Sequence, residues 1–211
     1  MRALIILVAA LAVLVAGPAF SHGSDEAATG AWVTHPWLLL TVFAALCWYA
    51  LGLRRQRREG RVPTGADRLR PLAFAASMAV LAFALASPLD AWAERSFPVH
   101  MTQHLLLMLL AAPLLAWARP VLTGLWAFPL RERRRIGRVW NRLGVLRGIH
   151  EFLMRPMVAW SLASMALWVW HIPAAFDAAL SHEWLHTTEH LCFLLTSVAF
   201  WTLAMPPYRG E

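Results

Sequence analysis

The sequence predicts an all-α protein, a polytopic bundle of about five or six transmembrane helices with one amphipathic cytoplasmic helix. Of the 211 residues, 59% are hydrophobic, and they are gathered into separate runs of membrane-spanning length. All 19 basic residues are arginines that cluster between those runs, as they do in the cytoplasmic loops of membrane proteins. The net charge of +7 therefore reflects membrane topology, and we expect no nucleic-acid partner.

The first hydrophobic segment, residues 1–21, has the pattern of a secretory signal peptide. Arg2 precedes an apolar run that ends near Pro18, and a cleavage site can be placed after Ser21. A retained first membrane helix is the alternative for this segment. We expect residues 22–211 to form a single helical membrane domain.

Five further apolar runs are expected to cross the membrane. Pro113 lies inside the third of them, where it predicts a kink. Polar or short connections are expected between some of the runs, at residues 60–67, 89–98 and 174–183. The five runs cover residues 36–53, 69–87, 99–117, 156–172 and 184–205.

Residues 131–147 predict an amphipathic helix that lies on the membrane surface. Ile136, Val139, Trp140 and Leu143 recur at helical spacing among seven arginines. We interpret these arginines as a solvated charge layer rather than as a binding site for a specific partner.

The arginine clusters also predict the orientation of the chain. The positive-inside rule places residues 54–70 and 131–147 in the cytoplasm. Of the nine histidines, only His150 then remains on the cytoplasmic side. The other eight fall on the outer side or at the outer end of a span: His22, His35, His100, His104, His171, His182, His186 and His190.

Histidines four residues apart mark the predicted metal site. On an α-helix, that spacing stacks His100 and His104 on one face, about 6 Å apart along the axis. The last span repeats the spacing, and His171 enters from its neighbour at the same depth. Polar groups at that depth are costly unless they are paired or functional. The candidate metal ligands are His100, His104, His171, His186 and His190.

Three other side chains are secondary candidates for this site. Met101 and Met108 lie along the first histidine helix, and thioether together with imidazole suits copper, whereas imidazole alone also suits zinc or iron. Glu189 is either a ligand or an acceptor that fixes an imidazole tautomer. The alternative is that the histidines are interfacial groups satisfied by their neighbours. Cys47 and Cys192 fall in different apolar runs, so no disulfide is expected.

Three blocks of the sequence resemble the CtaG family of multi-pass cytochrome c oxidase assembly factors, which are associated with caa-type oxidases. The blocks are SPLDAWAERSFPVHMTQHLLLMLLAAPLLAWARP, WVWHIPAAFDAAL and LHTTEHLCFLLTSVAFW. The family pattern adds Gln103 and Asp177 to the candidate site residues. It covers His100, Gln103, His104, Pro113, His171, Pro173, Asp177, His186, Glu189 and His190.

The resemblance implies a protein of the bacterial inner membrane that is needed to mature a haem-copper oxidase. It implies copper handling on the periplasmic side rather than enzymatic catalysis. The implied partners are cytochrome c oxidase subunits, the lipid bilayer and periplasmic copper chaperones.

Three other functions compete with copper handling. A membrane di-iron oxygenase also uses histidine pairs on helices, although such sites generally need more histidines and carboxylates. A b-type cytochrome would use histidines as haem ligands and would show a Soret band. A scaffold for oxidase assembly would produce assembly defects without binding metal.

Overall fold

The computed structural model describes residues 36–61, 63, 65–93 and 95–205, and all regular secondary structure in those ranges is helical. The first segment, residues 1–21, lies outside the described residues, as do His22 and His35. A short 3-10 turn, Gly65–Arg68, precedes the second helix. The helices are α1 (Pro36–Arg58), α2 (Arg70–Ala86), α3 (Pro88–Ala93), α4 (Phe97–Ala118), α5 (Pro120–Leu125), α6 (Leu130–Arg142), α7 (Gly144–Leu153), α8 (Pro156–Trp170), α9 (Pro173–Ser181) and α10 (Glu183–Ala204).

Proline begins several of these helices, since its fixed φ suits the first helical position, where no backbone donor is needed. Pro88 and Pro173 start helices α3 and α9 in this way. The prediction of a short loop at residues 174–183 is therefore wrong for most of that segment, and the polar connection at residues 89–98 includes most of helix α3. A proline after an apolar run predicts the end of a span, but here each proline also starts the helix that follows.

The segment that was predicted to lie on the membrane surface is two helices rather than one. Helix α6 ends at Arg142, and α7 begins at Gly144, because Leu143 leaves the helical region with φ −83° and ψ 61°. The side chains of both helices are largely exposed, which agrees with the predicted amphipathic character.

Two helices in the described part of the chain are long and apolar enough to cross a membrane, Trp37–Arg58 and Phe97–Ala118. A third span results if α7 and α8, which meet at 75°, are counted together. Helix α2 is apolar but has only 17 residues. Helix α10 has 22 residues, but its histidines and glutamates lower its mean hydropathy. The expected five or six spans therefore stay a prediction.

Helix α4 lies at the centre of the bundle, packed against α2 on one side and α10 on the other. Its buried residues Leu107, Ala111 and Ala118 join an apolar core with side chains of α1 and α2. In that core the rings of Tyr49 and Phe74 stack with centroids 4.2 Å apart. This packing fixes the helix that carries the first histidine pair.

Pro113 is accommodated in α4 by a π-helical turn over Leu106–Ala111, within a helix that continues to Ala118. The amide of Ala112 bonds to the carbonyl of Leu107, five residues back. In that register the carbonyl of Met108 would pair with residue 113, which is proline and has no N–H. The indole Nε1 of Trp201 instead donates to the Met108 carbonyl at 2.9 Å. A π turn thus precedes Pro113, and the expected kink stays a prediction.

Candidate metal centre

Four histidines from α4 and α10 form a compact cluster in the structure. Along α4, the ring centroids of His100 and His104 are 4.3 Å apart, and along α10 those of His186 and His190 are 4.2 Å apart. Across the two helices, His100 lies 5.5 Å from His186. His104 lies 5.3 Å from His190.

The cluster results from the spacing of the histidines along each helix and from the alignment of α4 with α10. A four-residue spacing puts both histidines of each helix on one face. The first histidine of α4 meets the first of α10 and the second meets the second, so the two helices run in the same direction through this contact. Two matched pairs on parallel helices therefore place four imidazoles in one layer.

A carboxylate reaches into the same layer. Glu189 is fully buried, and its Oε1 lies 3.7 Å from Nε2 of His104. His100, His104 and Glu189 each offer one potential ligand atom, and these atoms all lie within 4.8 Å of one another. Imidazole nitrogens with one carboxylate oxygen are a donor set of the kind that holds a transition-metal ion.

Several polar atoms of the cluster have no hydrogen-bond partner within the described part of the chain. Both ring nitrogens of His100 and of His104 lack a partner, and both carboxylate oxygens of Glu189 also lack one. His190 has one such nitrogen, Nε2. Both α4 histidines are only 1% exposed. Buried polar groups are almost always hydrogen-bonded. The presence of several unpartnered polar atoms in one place therefore distinguishes the cluster from an ordinary helix contact.

His171 and Met101 lie at the edge of the cluster and are only half-buried. Nδ1 of His171 is 2.7 Å from the carbonyl oxygen of Leu167. Because a carbonyl only accepts, Nδ1 carries a proton, and in the neutral ring Nε2 then holds the lone pair. That Nε2 lies 3.2 Å from the sulfur of Met101. The His171 ring centroid is 6.1 Å from that of His104.

Gln103 links α4 to two neighbouring helices. Its side chain is fully buried, and its Nε2 donates to the carbonyl of Ala84 at 2.8 Å and to Oδ1 of Asp90 at 2.7 Å. One amide thereby ties α4 to the end of α2 and to α3. The resemblance selected Gln103, whereas Asp90 was read only as part of a polar connection.

Aromatic side chains enclose the histidines. Phe193 is fully buried, and its ring lies 4.6 Å from that of His104. Phe176 of α9 lies 5.4 Å from the ring of His100 and 5.8 Å from that of Phe97. Sequence reasoning missed these residues. Phe193 follows His190 by three positions, so helical spacing could have placed it on the same face.

The remaining candidates lie on α9, in α4 and at the start of α10. Asp177 is exposed on α9, where its carbonyl accepts a hydrogen bond from Ser181. Met108 lies in the π turn, where its backbone carbonyl accepts a hydrogen bond from Trp201. His182 is exposed at the start of α10. Both cysteines are free in the structure.

The fold and the cluster define a helical membrane protein with a buried centre of histidines and one carboxylate. Residues 47–210 match the sequence profile of a family described as cytochrome c oxidase caa3 assembly factor (Caa3_CtaG). The chain therefore belongs to this family, and the resemblance to it is confirmed.

Two curated proteins are also similar to this chain. They are the uncharacterized proteins Mb0105 of Mycobacterium bovis and MT0111 of Mycobacterium tuberculosis, each 27% identical over 156 residues. The alignment covers 72% of this chain and 23% of each relative, so this chain spans about a quarter of the length of those proteins. No solved structure matches significantly.

Proposed function

We propose that this protein is a cytochrome c oxidase assembly factor that binds a copper ion at the periplasmic face of the bacterial inner membrane and delivers it to an oxidase subunit. Family membership supports the assembly role. The cluster of His100, His104, His186, His190 and Glu189, all buried except His186, supports the metal site. The protein acts as a metal carrier and not as an enzyme.

The unpartnered buried atoms are the observation that carries the metal proposal. An unsatisfied buried donor or acceptor costs about 1–3 kcal/mol, and the α4 histidines and Glu189 present several such atoms together. A bound cation would satisfy the lone pairs at once. Ligand atoms of one ion, each bound at about 2 Å, lie no more than about 4 Å apart. The 4.8 Å spread of His100, His104 and Glu189 therefore requires only a small side-chain movement.

Copper is favoured over other ions by the pair at the edge of the cluster. The lone pair on Nε2 of His171 faces the sulfur of Met101 at 3.2 Å. Two facing lone pairs repel each other unless a proton or a metal ion lies between them. Imidazole with thioether is a donor set that suits copper. Because this pair is less buried than His100, His104 and His190, we assign it to the entry or exit of the ion.

The charge distribution supports the proposed orientation. The histidine pair of α4 lies within its first two turns, whereas Arg119 follows its last residue, about 22 Å along the axis from His104. The arginine-rich segments around Arg57 and Arg133 lie at that second end. The positive-inside rule assigns the arginine end to the cytoplasm. The histidine end is then periplasmic, with α1, α2, α4, α8 and α10 as the spans in the described residues.

Labelling checks this orientation. In a variant without Cys47 and Cys192, a cysteine at exposed position 181 of α9 is expected to react with a membrane-impermeant maleimide on intact spheroplasts. Reaction only after the membrane is permeabilised would reverse the proposed sidedness.

Copper titration tests the proposed function. The detergent-purified protein is titrated with Cu(I) against a chromophoric chelator under reducing conditions. Replacing one ligand on each helix, His104→Ala with His190→Ala, is expected to weaken copper binding more than about 100-fold. The control pair, His150→Ala with His182→Ala, removes two exposed histidines outside the cluster. No copper binding by the wild type, or equal losses in the two pairs, would contradict the proposal.

The partners are proposed from the family alone. Cytochrome c oxidase subunits would receive the ion, and periplasmic copper chaperones would supply it. Cells that lack the protein are expected to lose copper-loaded oxidase, and the wild-type gene but not the His104→Ala, His190→Ala variant should restore it. Full oxidase activity in the deletion strain would contradict the proposed role in oxidase assembly. Rescue by the variant would retain the assembly role and favour a scaffold without metal.

A further inference from the structure

A cavity of about 970 Å³ opens at the end of the bundle opposite the histidines. Its walls come from the end of α1, the turn before α2, the start of α5 and the start of α6. Seven arginines line it against a single carboxylate, that of Asp67. The arginines are Arg57, Arg61, Arg68, Arg70, Arg119, Arg133 and Arg134.

The ion pairs within the described residues neutralise only part of this positive charge. Arg70 pairs with Asp67 at 2.9 Å, and Arg133 pairs with Glu59 at 2.7 Å. Hydrogen bonds from Arg133 and Arg55 lower the pKa of Glu59, so its carboxylate is ionised at neutral pH. In the described part of the chain, no carboxylate pairs with Arg57, Arg61 or Arg134. Like charges gathered in one concave site repel each other unless an anion occupies it.

One of these arginines, Arg119, has a strained backbone conformation. Arg119 is the one described residue other than glycine with a positive φ, at 46°. A left-handed conformation costs roughly 1–2 kcal/mol for a residue with a side chain. Strained residues of this kind are concentrated at functional sites. The turn places Arg119 between α4 and α5, on the wall of the cavity.

The cavity is apolar as well as basic. Leu53, Leu122 and Leu125 form part of its wall, and Trp126 lies among the arginines. The guanidinium of Arg133 covers the Trp126 ring at 4.0 Å, and that of Arg61 lies 5.7 Å away. Leu122 is also 58% exposed, so the apolar wall continues to the outer surface of the bundle. Basic groups above an apolar wall match a molecule with a charged head and hydrocarbon chains.

We propose that this cavity binds the headgroup of an anionic phospholipid, with its phosphate oxygens held by Arg57, Arg61 and Arg134. The acyl chains would lie along Leu122 and Leu125 towards the lipid. Guanidinium groups suit this role because they bind phosphate oxygens through two parallel hydrogen bonds. The site is separate from the histidine cluster, so its failure would leave the copper proposal intact.

Lipid titration of the delipidated, detergent-purified protein tests the proposal. Native mass spectrometry measures retention of phosphatidylglycerol or cardiolipin, with phosphatidylcholine as the neutral lipid. The double variant Arg57→Gln, Arg134→Gln is expected to bind the anionic lipids at least about tenfold more weakly. The matched control, Arg138→Gln with Arg142→Gln, removes the same charge from exposed positions of α6 that do not line the cavity. Equal losses in both variants would show diffuse attraction and overturn the proposal.

Two further measurements keep the proposal testable if the double variant does not fold. A wild-type photo-crosslinking experiment uses phosphatidylglycerol with a photoreactive acyl chain, and labelling is expected on α5. Labelling spread evenly over the outer helices would overturn the proposal. Inorganic phosphate and glycerol phosphate serve as competitors, and neither is expected to displace the lipid at millimolar concentration. Full displacement by inorganic phosphate would identify a small-anion site instead.

Discussion

The imidazole rings of His100 and His186 stack across the contact between α4 and α10, with centroids 5.5 Å apart and planes inclined by 20°. Four residues further along each helix, His104 and His190 meet at 5.3 Å. The repeat of the contact means that neither helix can slide or rotate without breaking both pairs. The histidine layer is thus fixed by the helix packing itself, which favours a preformed site over one assembled by the ion.

Replacing Glu189 with glutamine separates metal binding from folding. The carboxylate is fully buried, with no hydrogen-bond partner in the described residues. Its removal is expected to weaken copper binding by about 10- to 100-fold, and to raise the thermal stability of the metal-free protein because a buried acidic group is lost. Copper titration and thermal unfolding in detergent measure the two effects. Glu183→Gln, at an exposed position of α10, should change neither, and an unchanged copper affinity in Glu189→Gln would exclude the carboxylate from the site.

Replacing Met101 with leucine tests the choice of ion. The substitution keeps the volume of the side chain but removes the sulfur that faces His171. Affinity for Cu(I) is expected to fall while affinity for Zn²⁺ stays within about twofold, since a thioether is a soft ligand. Parallel titrations with the two ions provide the comparison. An equal fall for both ions would indicate that Met101 acts through packing alone.

Replacing Trp201 with phenylalanine tests the π turn. The substitution leaves the Met108 carbonyl without the donor that compensates for Pro113. A loss of about 1–3 kcal/mol in the free energy of unfolding is expected, because the carbonyl is left unsatisfied. Trp184→Phe is the control, since Trp184 lies on the same helix and is 61% exposed. Equal stability of the two variants would mean that the indole bond is not needed.

Replacing Gly52 with alanine tests the contact between α1 and α5. A Cβ at this position would meet the carbonyl oxygen of Thr123, which belongs to the backbone and cannot rotate away. Overpacking of this kind costs about 1–3 kcal/mol, so a lower unfolding temperature is expected. At Gly137 nothing lies within 4 Å of an added Cβ, and Gly137→Ala should be neutral or stabilising by up to about 1 kcal/mol. A neutral Gly52→Ala variant would show that the two helices can separate.

The sequence was sufficient to predict the helical class and the meeting of the histidines, because apolar runs and four-residue spacing are local signals. It also predicted that His171 enters from the neighbouring helix. The structure adds contacts between residues far apart in the chain, which no spacing reveals. Phe176 encloses His100 from a segment expected to be a loop, and the indole of Trp201 reaches the π turn of α4.

The amphipathic segment shows a second limit of sequence reasoning. Its apolar spacing predicts helix throughout, but the backbone leaves the helical region at Leu143 and divides the segment into two helices. The arginines around it were interpreted as a solvated layer, which remains the description of the exposed ones such as Arg138. Arg133 and Arg134 instead face a cavity shared with α1 and α5. Their role depends on tertiary packing, which cannot be inferred from the pattern of charges along the sequence.

X-ray absorption spectroscopy of the copper-loaded protein tests most directly whether histidines from two helices hold one ion. We expect backscattering from at least two imidazoles, with nitrogen atoms about 2 Å from the copper. The signal should be lost in the His104→Ala, His190→Ala variant and kept in the His150→Ala, His182→Ala control. A copper ion surrounded by oxygen or sulfur without imidazole, or an identical spectrum in the cluster variant, would contradict the account.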